Sequence, residues 1–175
     1  MTRKDDTFIS LGRRTEIASE NKADLFVSIH ANANNKRVVN GFEVYTLRNL
    51  SSRDRLEDQR VENLKTTLKK SEAKTDDPYV EKIVEGLLYY KKQAESERLA
   101  RLLARDTTLY VNAKNNGQKE SRFFVLRNTL VPAILIETGY LSNPREEKLL
   151  SSSSYRQKIA RGIVTSLMDY MNGKD

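Results

Sequence analysis

The chain has 175 residues, enough for one domain with a real core and short for two. It has no cysteine and one histidine, which excludes a disulfide framework, a thiolate nucleophile, a cysteine-held zinc or iron–sulfur site, and any centre that needs two imidazoles from this chain. With 31 basic against 24 acidic residues, the net charge of +7 favours an acidic partner such as a nucleic acid, an anionic lipid or an anionic polymer, without choosing among them.

The opening Met1-Thr2-Arg3-Lys4-Asp5-Asp6 is polar and no window approaches ~18 apolar residues, so neither a secretory signal nor a membrane span is expected. Ser10 is placed to cap a helix running to about Asn21, with Leu11, Ile17 and Ala18 as a modest apolar face. Asp24 to His30 has the length and β-branched content of a strand. Ala31-Asn32-Ala33-Asn34-Asn35 reads as a polar loop, and Gly41 to Leu47 alternates like a half-buried strand.

Residues 48–93 change character. Twenty of the 46 are charged and no strand-like run occurs, so this stretch is read as a helical insertion, with plainly solvated helices as the alternative. Thr75-Asp76-Asp77-Pro78 predicts a helix start with Asp77 as cap and Pro78 as first residue. From Ser96 to about Ala104 the pattern is helical, with Leu99, Leu102 and Leu103 inward, and Lys114 to Gly117 reads as a turn. Phe123 to Leu126 and Ala133 to Ile136 are near-continuous apolar runs, which suit strands covered on both faces. Tyr155 to Met171 predicts a closing helix with Ile159, Ile163, Leu167 and Tyr170 on one face. The fold class is therefore α/β, a mixed and largely parallel central sheet flanked by helices, with a helical insertion.

His30 and Glu137 each fall at the carboxyl end of a predicted strand, where open α/β sheets gather their sites. An imidazole and a carboxylate are parts of a metal-assisted hydrolase, the carboxylate taking a proton from water and passing it to a leaving amine. A carboxylate directly after an apolar run is costly unless paired or functional. On these two positions alone, a catalytic pair and a structurally satisfied pair are equally good readings.

Ala23-Asp24-Leu25-Phe26-Val27-Ser28-Ile29-His30-Ala31-Asn32 and Val131-Pro132-Ala133-Ile134-Leu135-Ile136-Glu137-Thr138-Gly139-Tyr140-Leu141-Ser142-Asn143-Pro144 resemble two segments of the zinc-dependent N-acetylmuramoyl-L-alanine amidases, of the AmiA/AmiB/AmiC type. Thr2-Arg3 through Asp6 with Leu11 and Arg14, Gly41 to Tyr45, and Phe124 to Arg127 resemble further stretches in the same order. The resemblance implies that residues 1–175 are the C-terminal part of such a catalytic domain. It makes His30 a Zn2+ ligand and Glu137 the catalytic glutamate, with Asn32 beside the metal or simply a turn residue. The substrate it implies is the amide joining N-acetylmuramic acid to L-alanine in peptidoglycan.

The resemblance also has a gap. The family's "DPGHGG"-like motif, with its first zinc-binding His, and the Glu of the following helix do not occur here. The expectation is that an upstream segment carrying them, together with a signal peptide, has been lost, so the expected location is the periplasm or cell envelope. Residues 48–93 then match the place of a helical insertion, one helix of which, here Tyr79 to Lys92, covers the site until a LytM-type activator displaces it, with Glu81 or Glu85 approaching the zinc. The competing readings are an inactive amidase-like module that binds peptidoglycan or a division partner and, weaker, a nucleic-acid binder, for which no binding motif is present.

Overall fold

The computed structural model describes residues 1–49 and 78–174, and for 78–85 the backbone alone. Four strands, β1 (Phe26–Asn32), β2 (Phe42–Leu47), β3 (Asn115–Ser121) and β4 (Ala133–Tyr140), form one sheet in the order β1-β4-β2-β3. β1 and β4 are parallel, β2 and β3 are parallel, and β4 runs antiparallel to β2. The helices are α1 (Leu11–Glu20), α2 (Pro78–Val111), α3 (Phe124–Asn128), α4 (Pro144–Ser151) and α5 (Ser153–Met171). The expected α/β class with a mixed, largely parallel sheet is what the structure shows.

Alternation along the strands divides the core in two. Phe42 and Val44 of β2 and Ile134 and Ile136 of β4 face α2 and α5, packing on Leu99, Leu103, Ile159 and Ile163. Phe26, Ala133 and Leu135 face the other way and pack on Val125 and Leu126 of α3, with Ala18 of α1 against the cluster. Because helices cover both sides, β4 is buried nearly throughout, as its unbroken apolar run predicts. The outer edge of β1 has no partner strand among the described residues, and Ile29 is 59% exposed there.

Several sequence expectations hold in detail. Ser10 caps α1, its hydroxyl accepting from the Arg13 amide at 3.3 Å, and Pro78 opens α2. α2 then runs unbroken past residue 93 to Val111, well beyond the expected end near Ala104. Residues 50–77, the greater part of the expected insertion, lie outside the described residues.

Three expectations are overturned. Phe123 to Leu126 is not a strand: Phe124 begins the short helix α3, which buries Val125 and Leu126 side by side. A four-residue apolar run has no periodicity that separates a covered strand from a buried helical turn. Lys114 to Gly117 is not a free turn, because Asn115 starts β3. The turn formers serve a bulge instead, where Phe42 pairs with Asn115 but Val44 with Gln118, and Gly117 takes a positive φ of 77°. β2 is not half-buried but buried along almost its whole length.

The long helix is tied to the sheet by buried polar contacts. The Ser96 hydroxyl donates to the Lys92 carbonyl at 2.7 Å and accepts from the Ala133 amide, at the start of β4, at 2.9 Å. Lys92 donates to the carbonyls of Leu126 and Thr129, holding the chain on either side of the end of α3. Ser96→Ala leaves the buried Ala133 amide without its acceptor and is expected to lower stability by about 1–3 kcal/mol, read from the urea midpoint at unchanged slope. A variant as stable as the parent would show that this tie contributes nothing.

Candidate active site

The sheet places three titratable side chains in one row. His30 on β1 stands opposite Glu137 on β4, and Glu137 stands opposite Glu43 on β2. Alternation puts His30 on the same face as Phe26, Glu137 on the same face as Leu135, and Glu43 on the same face as Tyr45. All three faces are the side covered by α1 and α3. The row lies at the carboxyl ends of the parallel pair β1 and β4. Because β2 is reversed, its amino end arrives at the same level.

The two carboxylates have opposite environments. Glu43 is 1% exposed, yet fully supplied with donors: Lys119 Nζ at 2.6 Å, the Tyr140 hydroxyl at 2.7 Å and Asn116 at 3.1 Å on one oxygen, and the Tyr45 hydroxyl at 2.7 Å on the other. Burial alone would raise its pKa, but the hydrogen bonds from Lys119, Tyr45, Tyr140 and Asn116 outweigh it and hold Glu43 below the usual carboxylate range. Burial, followed by the hydrogen bond to Glu43, pushes both tyrosine hydroxyls up, so they remain donors. Glu137 is 8% exposed, and its Oε2 has no hydrogen-bond partner among the described residues. Burial, then the negative charge of Glu43, pushes its pKa up to about 7. Two carboxylates whose environments drive them apart divide the labour: Glu43 stays charged while Glu137 exchanges a proton near neutrality.

His30 is exposed, with Nε2 3.0 Å from the Ser28 hydroxyl, the tautomer deciding which of the two donates. Burial, followed by the charges of Arg14 and Arg3, lowers its pKa, which favours the neutral imidazole at neutral pH. The Thr138 hydroxyl donates to the His30 carbonyl at 2.9 Å, locking the two strand ends together. Asn32 accepts from the adjacent Ala33 amide at 2.8 Å, which is a turn role.

The structure therefore brings together the two residues singled out from sequence, His30 and Glu137. The side chains of Glu81 and Glu85 lie outside the described residues. Glu43, Lys119, Tyr45 and Tyr140 were not anticipated. The alternation of Phe42-Glu43-Val44-Tyr45 was the available signal, since it sets a carboxylate and a phenol on one face of a strand. A catalytic zinc takes three protein ligands. No group of three or more His, Cys, Asp or Glu among the described residues could hold a metal, and Glu43 already has four donors. The described residues thus do not fit a complete zinc centre.

The family model described as N-acetylmuramoyl-L-alanine amidase matches residues 1–169. The chain belongs to that family. Among its relatives, the probable N-acetylmuramoyl-L-alanine amidase AmiB of Haemophilus influenzae is 32% identical, over 99% of this chain and 41% of that protein. AmiA of Escherichia coli is 29% identical, over the whole of this chain and 61% of that protein. The chain thus spans roughly half the length of these relatives. The crystal structure of an N-acetylmuramoyl-L-alanine amidase from Clostridium difficile 630 superposes with a TM-score of 0.70 at 29% identity, covering 99% of this chain and 71% of that one. The amidase-family sheet is therefore the frame that carries the His30–Glu137–Glu43 row.

Glu137 has a consequence for stability. Its folded pKa of about 7 lies above its ordinary 4.5, so the folded state holds the extra proton between those values. Its contribution is complete below about pH 4.5 and is lost as pH rises through about 7. Glu137→Gln should match the parent at pH 4.5 and exceed it at pH 8, by up to about 3 kcal/mol, in paired urea titrations. A difference that does not change with pH would refute the raised pKa.

Proposed function

We propose that the protein hydrolyses the amide bond between N-acetylmuramic acid and L-alanine in peptidoglycan, with Glu137 as the proton-transferring group. The observation that carries this reading is Glu137 itself, a buried carboxylate with one oxygen unpartnered among the described residues and a pKa near neutrality, in register with His30. Near pH 7 its ionised form takes a proton from the attacking water and its neutral form delivers one to the leaving amine. Glu43, held charged by Lys119 and two tyrosines, keeps that proton on Glu137. An exposed His30 on an open sheet end suits an extended polymer better than a small enclosed ligand.

Zn2+ enters the proposal through His30 as one ligand. Further donors would have to join it, since the described residues supply no group of three ligands. The proposed setting is the cell envelope, where peptidoglycan lies. No helix among the described residues is long and apolar enough to cross a membrane. Of the expected insertion over 48–93, the part that precedes α2 is proposed to be regulatory, docking until a LytM-type activator binds the undocked state better, while Lys92 and Gln93 stay bonded to the fold. Deleting residues 50–77 spares Lys92 and should raise basal activity; unchanged activity removes the autoinhibition reading.

A second reading, an inactive amidase-like module that binds peptidoglycan or a division partner, is favoured by the lack of a three-ligand group among the described residues. Sacculus digestion separates the two. On the first reading the purified full-length protein releases stem peptides, Glu137→Gln lowers kcat by about 10²–10⁴-fold, and His30→Ala removes bound zinc. Retained sacculus binding, with neither zinc nor peptide release, would establish the module instead.

A further inference from the structure

We propose that Glu146 is a positioning residue of this site, its carboxylate holding the backbone bulge that aims Glu137; the inference rests on the hydrolytic role proposed for Glu137. Between His30 and Asn32 the β1–β4 register shifts, so that two steps along β1 match three along β4. The additional residue lies at Thr138-Gly139, directly after Glu137. Such bulges redirect neighbouring side chains and end regular pairing.

Glu146 grips this bulge from α4. Its Oε2 accepts from the Tyr140 amide at 2.7 Å, and its Oε1 accepts from the Gly41 amide at 2.9 Å. One carboxylate thus joins the exit of the bulge on β4 to the entry of β2. Gly139 has a φ of +147°, which favours glycine, and a Cβ there would stand 3.3 Å from the Glu146 carboxyl carbon, a tight contact that would push on the carboxylate. Gly41, at φ +118°, would set a Cβ 2.6 Å from Asn116 Nδ2, itself a donor to Glu43. Tyr140, whose amide Glu146 binds, sends its hydroxyl to the other oxygen contact of the site, Glu43. Glu146 is in turn located by the α4 cap, where the Asn143 side chain accepts from the Glu146 amide at 3.2 Å and donates to the Arg37 carbonyl at 3.0 Å.

The chemistry demands a carboxylate. Both partners are N–H donors and each uses its own oxygen, whereas glutamine offers one acceptor and would turn its NH2 toward the other N–H. A residue that only filled space here would tolerate glutamine.

The test uses full-length protein carrying Glu146→Gln, Glu146→Ala or Glu137→Gln, assayed for stem-peptide release, amide hydrogen exchange and thermal unfolding. The expected result for both Glu146 variants is a kcat lower by about ten- to a hundredfold with KM nearly unchanged, in folded protein, with faster exchange at the Tyr140 and Gly41 amides and glutamine no better than alanine. Parental kcat in Glu146→Gln, a fall in kcat that only tracks the unfolded fraction, or a fall with Tyr140 and Gly41 protection intact would each overturn the positioning role alone. A parent without amidase activity, or an active Glu137→Gln, would overturn the hydrolytic reading and this inference with it.

Discussion

The cross-strand opposition of Glu137 and Glu43 is the constraint around which the site is organised. The two carboxylates face each other on β4 and β2, on a side of the sheet shielded from water, and both cannot carry charge there without compensation. The compensation is given to one of them. Lys119, Tyr45, Tyr140 and Asn116 all converge on Glu43, leaving Glu137 with an oxygen unpartnered among the described residues and a proton it can exchange near neutrality. A group in that state is poorly suited to stabilising a fold and well suited to moving protons.

The architecture serves this asymmetry. The parallel pairing of β1 with β4 brings His30 into register with Glu137, and the reversed direction of β2 brings Glu43 to the same level from its amino end. β3 contributes Lys119 and Asn116 from a segment where a bulge at Asn116-Gly117 shifts its register against β2. A second bulge, after Glu137, ends the regular ladder with β1. The helices stabilise the sheet from both sides, while Ser96 and Lys92 tie α2 to the start of β4 and to the chain around α3. The apolar core is therefore the rigid support, and the polar row lies at its open end.

Legibility in the sequence followed the range of the interactions. Ser10 and Pro78 mark helix starts through contacts within a few residues, and both were readable. The apolar run of Ala133 to Ile136 was correctly a doubly covered strand. The similar run at Phe123 became a helical turn, because four residues carry no period and packing on Phe26 and Leu135 decides. Glu43 escaped notice because its strand reads as half-exposed. Its burial depends on Lys119, 76 positions away, and on Tyr140, 97 positions away.

The sequence by itself determined the α/β class, the strands that carry His30 and Glu137 with both residues near their ends and, through long matching segments, the family. Tertiary structure alone decided which carboxylate is charged. That outcome depends on donors and neighbouring charges delivered by three strands distant in sequence, and a pKa is a property of the assembled surroundings, not of the residue. It also decided that one histidine and one titrating glutamate stand side by side, which two separate motifs could only suggest.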